Sequence, residues 1–272
     1  MGIIEDWFFD IARDDKTRTK LKEIFTVREK VLAENRFYGN TDKFLLRLGN
    51  HKVVFDMRSA VSAIETYQEI FLNKGHRNED GFDGRGARVV MDIGANRGFY
   101  SLSIRDVNKS AIIYAYEPNP YEYKFLREHV KLNDMNPIVI RRYAVERVAG
   151  TSWMDIVPEI GSIGGKKMLQ VERKWMKEEF CKRINVKSVT LNEIIKKNKL
   201  KSVDILKIDA EGAETDILSP LTNLSVVKKV VVEYHSVEAR NKLIATLCDH
   251  GFLFVKEDKD KGRYYGDLYF VK

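Results

Sequence analysis

The chain has 272 residues, 44% hydrophobic and 32% charged, the balance of a soluble globular protein. No apolar run approaches the roughly 20 residues that span a bilayer, and the length suits one large α/β domain or one domain with a smaller neighbour. A formal charge of +7, from 47 Lys and Arg against 40 Asp and Glu, and a pI near 9.1 permit an anionic partner such as nucleic acid, a phosphorylated sugar or a membrane surface without demanding one.

The start, "MGIIEDWFFDIARDD", is acidic where an export signal is basic, and Asp6 breaks the myristoylation pattern. Residues 1 to about 38 carry apolar side chains at helical spacing, among them Ile11, Leu21, Ile24, Phe25 and Leu32. "FLLRLGNHKVVFDM" reads as a hairpin around Gly49-Asn50, and "SAVSAIETYQEIFLN" as a helix capped by Ser59 or Ser62. "KGHRNEDGFDGRGAR" reads as a Gly-rich polar linker. Residues 1–86 thus form a helical and hairpin extension ahead of a domain at 87–272.

From Val89 strands and helices alternate. "VVMDIG", "AIIYAYE" and "PIVIRRYAV" are the first three strands of the domain, with "FYSLSIRDV" and "PYEYKFLREHVKLN" as helices between them. "VDILKIDAEG" and "VVKKVVVEYHS" are two more strands, separated by a helix at "AETDIL"; "EARNKLIATLCDHG" is a helix, and "FLFVKE" and "YYGDLYFVK" are closing strands. Such alternation predicts an α/β fold built on a doubly wound, mostly parallel sheet of about seven strands, with ligands at the carboxyl ends of the strands. An insertion at about 148–186 interrupts it. That segment holds Lys166, Lys167, Arg173, Lys174, Lys177, Lys182, Arg183 and Lys187. It reads either as a solvated charged helix or as a cover that recognises an anionic acceptor, hinged at "GSIGG".

Three glycine-loop readings compete for "VVMDIGANRGFYSL". A P-loop needs Gly-Lys-Ser/Thr, but Gly98 is followed by Phe99 and Tyr100. A dinucleotide fingerprint counted from Gly94 finds Asn96 and Phe99 where glycines belong. A nucleoside ligand without a pyrophosphate needs backbone approach at one or two points and an acid for the ribose, which Glu117 supplies at the end of the next strand. S-adenosylmethionine is the common ligand of that shape; a bare strand-to-helix turn is the alternative.

"MDIGANRGFYSL", "YAYEPNP" and "VDILKIDAEGAETDIL" together resemble the FkbM-type S-adenosylmethionine-dependent methyltransferases, with "RRYAV", "VTLNEII" and "VVVEYHS" as further likenesses. The resemblance implies a class I methyltransferase (Rossmann-like) fold whose last strand is antiparallel, and O-methylation of a sugar, glycan or other small molecule. By family position Asp92, Gly94, Asn96 and Gly98 shape the pocket around the methionine part of the cofactor. Glu117 accepts from the ribose, Asn119 and Ala144 border the adenine, and Asp209 lies near the methyl group. "NPY" at Asn119–Tyr121 imitates the motif of amino-group methyltransferases but sits on the wrong strand, which favours oxygen as acceptor.

Candidate bases at the strand ends are Asp209, Glu211, Glu233 and His235, the last with an ordinary pKa near neutrality. Lys207, in an otherwise apolar strand, needs a buried partner, for which Glu233 on the next strand is the expected choice; the sharper reading has it orient the acceptor or the catalytic carboxylate. No spacing of ligands marks a metal site, although the same carboxylates could hold Mg²⁺. Cys181 and Cys248 lack metal-ligand spacing and read as reduced thiols in a cytoplasmic protein. The alternatives are an RNA methyltransferase acting on a 2′-hydroxyl or a base, and a non-catalytic binding protein of the same fold. The oligomeric state is not legible.

Overall fold

The computed structural model describes residues 3–34, 42–57, 59–156, 164–165, 182–219, 221–259 and 265–272. Helices α1 (Ile3–Ile11) and α2 (Asp15–Glu34) occupy the expected helical start. Asp14 caps α2 by accepting the Thr17 amide at 2.7 Å. Leu21, Ile24 and Phe25, spaced by three and four, bury one side of α2, where Phe25 meets Phe8 of α1 at 5.8 Å between ring centroids. Strands β1 (Lys43–Leu48) and β2 (His51–Asp56) form the expected hairpin, with Gly49 in the left-handed region at φ +56°.

Helix α3 (Ala60–Phe71) begins after Ser59, but neither serine caps it: the Ser59 hydroxyl donates to Asp56 instead, at 2.5 Å, and Ser62 lies inside the helix. The stretch after α3 departs from a plain polar linker. It buries Phe82 completely and His76 to 3% exposure, and His76 packs edge-on against Tyr100.

Next come β3 (Val89–Ile93), α4 (Phe99–Val107), β4 (Ile112–Tyr116), α5 (Pro120–Leu132) and β5 (Ile138–Arg141). Asn119 caps α5 by accepting the Tyr121 amide, and Pro120 sits at the first turn, where no amide is needed. The third domain strand is shorter than its sequence predicts. "PIVIRRYAV" breaks after Arg141, and β6 (Ala144–Val145) belongs to a second sheet with β7 (Gly150–Ile156), β8 (Gly164–Gly165) and β9 (Lys182–Val189), in the order β6-β9-β7-β8. The described part of the insertion is β-structure, with Lys182, Arg183 and Lys187 on β9. Lys166, Lys167, Arg173, Lys174, Lys177 and Cys181, with the first half of "GSIGG", lie outside the described residues.

The chain continues through α6 (Leu191–Lys197), β10 (Ile205–Ile208), α7 (Glu214–Ile217), β11 (Lys229–Tyr234), α8 (Val237–Asp249), β12 (Leu253–Lys259) and β13 (Gly266–Val271). Thr190 and Glu193 close a capping box on α6. The main sheet has seven strands in the order β12-β13-β11-β10-β3-β4-β5, and β13, antiparallel to both neighbours, is the one reversed strand. Strand order reverses between β3 and β10, where α/β sheets open a crevice at the strand ends. One cluster of buried side chains joins Phe8, Leu21 and Phe55 of the N-terminal elements to Phe99, Ile113 and Tyr269 of the sheet layer. Three backbone links tie the hairpin to α5: the Val54 amide donates to His129, and Asn133 bonds both the amide and the carbonyl of Lys52.

Candidate active site

Register builds the site. Ile93 of β3 pairs with Tyr116 of β4 and with Ile208 of β10, so the three strands end level. Gly94, Glu117 and Asp209, each one residue past its strand, therefore stand side by side along a cavity that opens to solvent. Its walls include Ile93, Tyr116, Val145 and Met154, and its polar floor includes Asn96, Glu117 and Asn119. Ala144, Glu211 and Asp209 also line it.

Glu117 is the centre of the polar end. It is 6% exposed, and its two oxygens accept the amides of Asn96 at 2.8 Å and Asn119 at 2.7 Å. Burial pushes its carboxyl up to about 8, against the opposing pull of the Asn119 and Asn96 amides. Each oxygen keeps further lone-pair capacity for a hydroxyl in the cavity. Asn96 takes φ +49°, which an Asn tolerates, and its side chain accepts the Arg97 amide at 2.7 Å.

Two of the expected pocket residues do other work. Asp92 is fully buried beneath the loop and does not line the cavity; it accepts the Ser101 hydroxyl at 2.6 Å and faces Lys207 Nζ at 3.4 Å. Gly98 begins α4 at φ +83°, and a Cβ there would meet Leu126 at 2.5 Å, so its bareness serves the packing of α4 on α5. Gly94 does line the cavity, at φ +74°, but a Cβ would lie 1.6 Å from the Asp209 carbonyl oxygen. The glycine is required by the neighbouring backbone before any ligand arrives.

Lys207, 3% exposed, has different partners from the one expected. Its ammonium donates to the Gly94 carbonyl at 2.8 Å and to Asp209 at 3.3 Å, with Asp92, its cross-strand neighbour, at 3.4 Å. The Glu233 ion pair is replaced by this bridge between the glycine loop and the end of β10. Burial alone would raise the Asp209 carboxyl, but Lys207 and then His76 hold it well below the usual carboxylate range, which makes it a poor proton acceptor. Glu233 is pushed up, by burial first and then by Asp209.

His235 does not have the ordinary pKa expected of it. Its ring lies 3.5 Å from Glu211, 3.5 Å from Glu214 and 3.6 Å from Glu233. Burial opposes the charge, but Glu214, Glu211 and Asp209 outweigh it and raise the imidazole to about 10, so near neutrality it is a cation.

Sequence reasoning missed His76, Asp267, Trp153 and Met154. Trp153 and Met154 reach the cavity from β7, where alternation in "TSWMDI" was the available signal. His76 had none: it belongs to a polar stretch and meets Asp267 of β13 only through the fold, with Nδ1 donating to Oδ1 at 2.7 Å and the backbone amide to Oδ2 at 2.8 Å. Among the described residues, two sets of side chains bring potential ligand atoms within 4.8 Å of one another, His76/Asp209/Glu233 and Asp209/Glu211/His235. No helix among the described residues is long and apolar enough to cross a membrane.

The family model for the methyltransferase FkbM domain matches residues 92–254. Similar proteins include the 31-O-demethyl-FK506 methyltransferase FkbM of Streptomyces tacrolimicus, 26% identical over 78% of this chain and 90% of that one. Methyltransferase sdnD of Sordaria araneosa is 26% identical over 71% of this chain and 84% of its own. Hexuronic acid methyltransferase AglP of Haloferax volcanii is 26% identical over 54% and 56%. The match spans the glycine loop, Glu117, β10 and β11, the segments that build the cavity, and on it the chain belongs to the methyltransferase FkbM domain family.

Proposed function

We propose that this chain transfers a methyl group from S-adenosylmethionine to a hydroxyl oxygen of a sugar, glycan or other small molecule. The observation that carries this reading is Glu117, a buried acid at the polar end of the cavity, level with Gly94 and Asp209. A nucleoside fits such a site: the carboxylate accepts ribose hydroxyls, and Ala144, Val145 and Met154 offer apolar surface to a base. The bound cofactor supplies an electrophilic methyl group on a sulfonium.

The protein's own part is positioning. Lys207 bridges Gly94 and Asp209, and so holds the methyl-donor loop and the acceptor side at a set distance. Asp209, kept ionised, accepts a hydrogen bond from the acceptor hydroxyl and turns an oxygen lone pair toward the cavity. The family relatives support oxygen as the acceptor atom, because the Streptomyces tacrolimicus protein is named for O-methylation and the Haloferax volcanii protein for a sugar acid.

Calorimetry with S-adenosylmethionine, followed by radiolabelled methyl transfer to pools of sugars and small hydroxyl compounds, tests this reading. Hydrogen bonds to a charged group contribute about 1.5–3 kcal/mol, so Glu117→Ala is expected to weaken cofactor binding roughly 10- to 150-fold. Unchanged affinity in a folded Glu117→Ala variant overturns the ribose assignment, and label appearing only in RNA overturns the acceptor class.

A further inference from the structure

We propose that His76, Asp209 and Glu233 bind one divalent transition-metal ion, of the manganese class, reached from the cavity through Asp209, the one of the three that lines it. The three come from separate parts of the chain: the stretch after α3, the residue past β10 and the C-terminal end of β11. Their potential ligand atoms lie within 4.8 Å of one another. Bonds of about 2.0–2.2 Å to a shared ion put cis donor atoms about 3 Å apart, so modest side-chain movement closes the set.

His76 is prepared in the manner of a metal ligand. Asp267 takes its Nδ1 proton at 2.7 Å and its backbone amide at 2.8 Å, which fixes both the tautomer and the ring plane. Nε2 is left facing Asp209 Oδ2 at 3.7 Å, too far for a hydrogen bond. The residue also holds φ +59°, an uncommon conformation for a histidine, and the two bonds to Asp267 maintain it. A plain core histidine needs neither the strain nor an aimed nitrogen.

Lys207 contacts Asp92, Asp209 and the Gly94 carbonyl, and it reaches Glu233 through its field. Asp267 is engaged by His76, and Glu69 of α3 lies near enough to His76, Asp209 and Asp267 to add its own field. Against burial, Asp267 raises the His76 imidazole, so an ion that binds at Nε2 displaces a proton. Lys207 approaches Oδ2 of Asp209, and Glu233 hydrogen-bonds the same carboxylate, so an ion entering the set takes the place of that shared proton.

The neighbouring set, Asp209/Glu211/His235, is less prepared. Glu211 sits on a turn at φ +50° with its side chain 40% exposed, and no carboxylate comes closer than 3.5 Å to either His235 nitrogen. One imidazole with two carboxylates suits Mn²⁺ and its transition-metal neighbours better than Mg²⁺, which prefers oxygen and water.

The catalytic use of the ion rests on the methyl-transfer reading. An ion beside the cavity lowers the pKa of a hydroxyl that binds it. The acceptor O–H gives its proton to water at the cavity mouth. The oxygen lone pair forms the O–CH₃ bond as the C–S bond breaks, and that electron pair returns to sulfur.

The test is Mn²⁺ titration of chelator-treated protein, followed by electron paramagnetic resonance and calorimetry, with S-adenosylmethionine binding measured separately on the same sample. One equivalent of Mn²⁺ is expected. Loss of a ligand or of its orienting carboxylate typically costs at least about tenfold, so His76→Ala, Glu233→Gln and Asp267→Asn should each weaken Mn²⁺ by that much while cofactor affinity stays within about twofold. Glu211→Gln should leave Mn²⁺ affinity unchanged. The conservative Glu233→Gln keeps the test decisive should His76→Ala misfold. No stoichiometric Mn²⁺ binding, or equal binding in His76→Ala and Glu233→Gln, overturns the site. If the cofactor binds and the ion does not, only the metal proposal falls; if neither binds, the methyl-transfer reading falls with it.

Discussion

Glu117 carries a pH signature that a solvent-exposed acid would not. Its carboxyl titrates near 8 in the folded chain, with burial as the main cause, against 4.5 ordinarily. Between those values the folded state holds a proton that the unfolded state has released. Stability from this group is therefore complete below about 4.5 and is lost as pH rises toward 8. Urea unfolding of Glu117→Gln at pH 5 and pH 8.5 should show that part of the fall removed, and cofactor affinity in the native protein should rise as pH approaches 8 and the carboxylate forms. A native-like pH slope in Glu117→Gln would show that the residue titrates normally. Asp209 and His235 give a second contrast. Asp209 is held ionised by Lys207, and His235 is held charged up to about 10, so neither is poised to take a proton near neutrality. Asp209→Asn leaves Lys207 with Asp92 and the Gly94 carbonyl, so the fold survives, and lost positioning should slow methyl transfer by about 100-fold. His235→Gln should leave the rate profile between pH 6 and 8 without a lost inflection; an inflection that disappears would make His235 the base.

At the level of elements, the meeting of β3 with β10 decides what the glycine loop is for. The Asp209 amide donates to the Ile93 carbonyl at 3.0 Å, and the Asp209 carbonyl occupies the place a Gly94 side chain would need. Gly94→Ala should therefore destabilise the domain as well as weaken the cofactor, because a positive φ and a backbone clash add. Thermal unfolding checks it: a native melting temperature together with lost cofactor binding would return the glycine to a purely ligand-facing role. The sequence signal here was sound in kind, since a bare backbone is needed, and incomplete in cause, since spacing alone does not show which atoms approach. The third strand repeats the lesson. "PIVIRRYAV" is one apolar run, but the sheet ladder ends at Arg141, and Ala144 reaches the cavity from a different sheet, paired with Ser188 of β9.

Across the whole molecule, the N-terminal elements share a core with the sheet, and Phe8, 0% exposed, is a long way in sequence from the residues it packs beside. Truncating a buried Phe to Ala typically costs about 3–5 kcal/mol. Phe8→Ala should lower the stability of the whole chain in one cooperative transition; two separated transitions would mean that the extension folds by itself. The alternation of strands and helices, the glycine loop, Glu117 and the "LKIDAEGAE" segment were legible in the sequence because each is local: periodicity and spacing along the chain report burial and turns directly. The doubly wound sheet followed from the alternation, and its one reversed strand from the family resemblance. The partners of Lys207, the charge on His235, the Asp267–His76 pair and the Trp153 wall were decided only by tertiary structure. Each joins residues that sequence distance does not relate, such as His76 and Asp267, 191 positions apart. Burial then changes what those groups do: a buried charge takes the partners that register and packing bring to it, whatever its type alone would suggest.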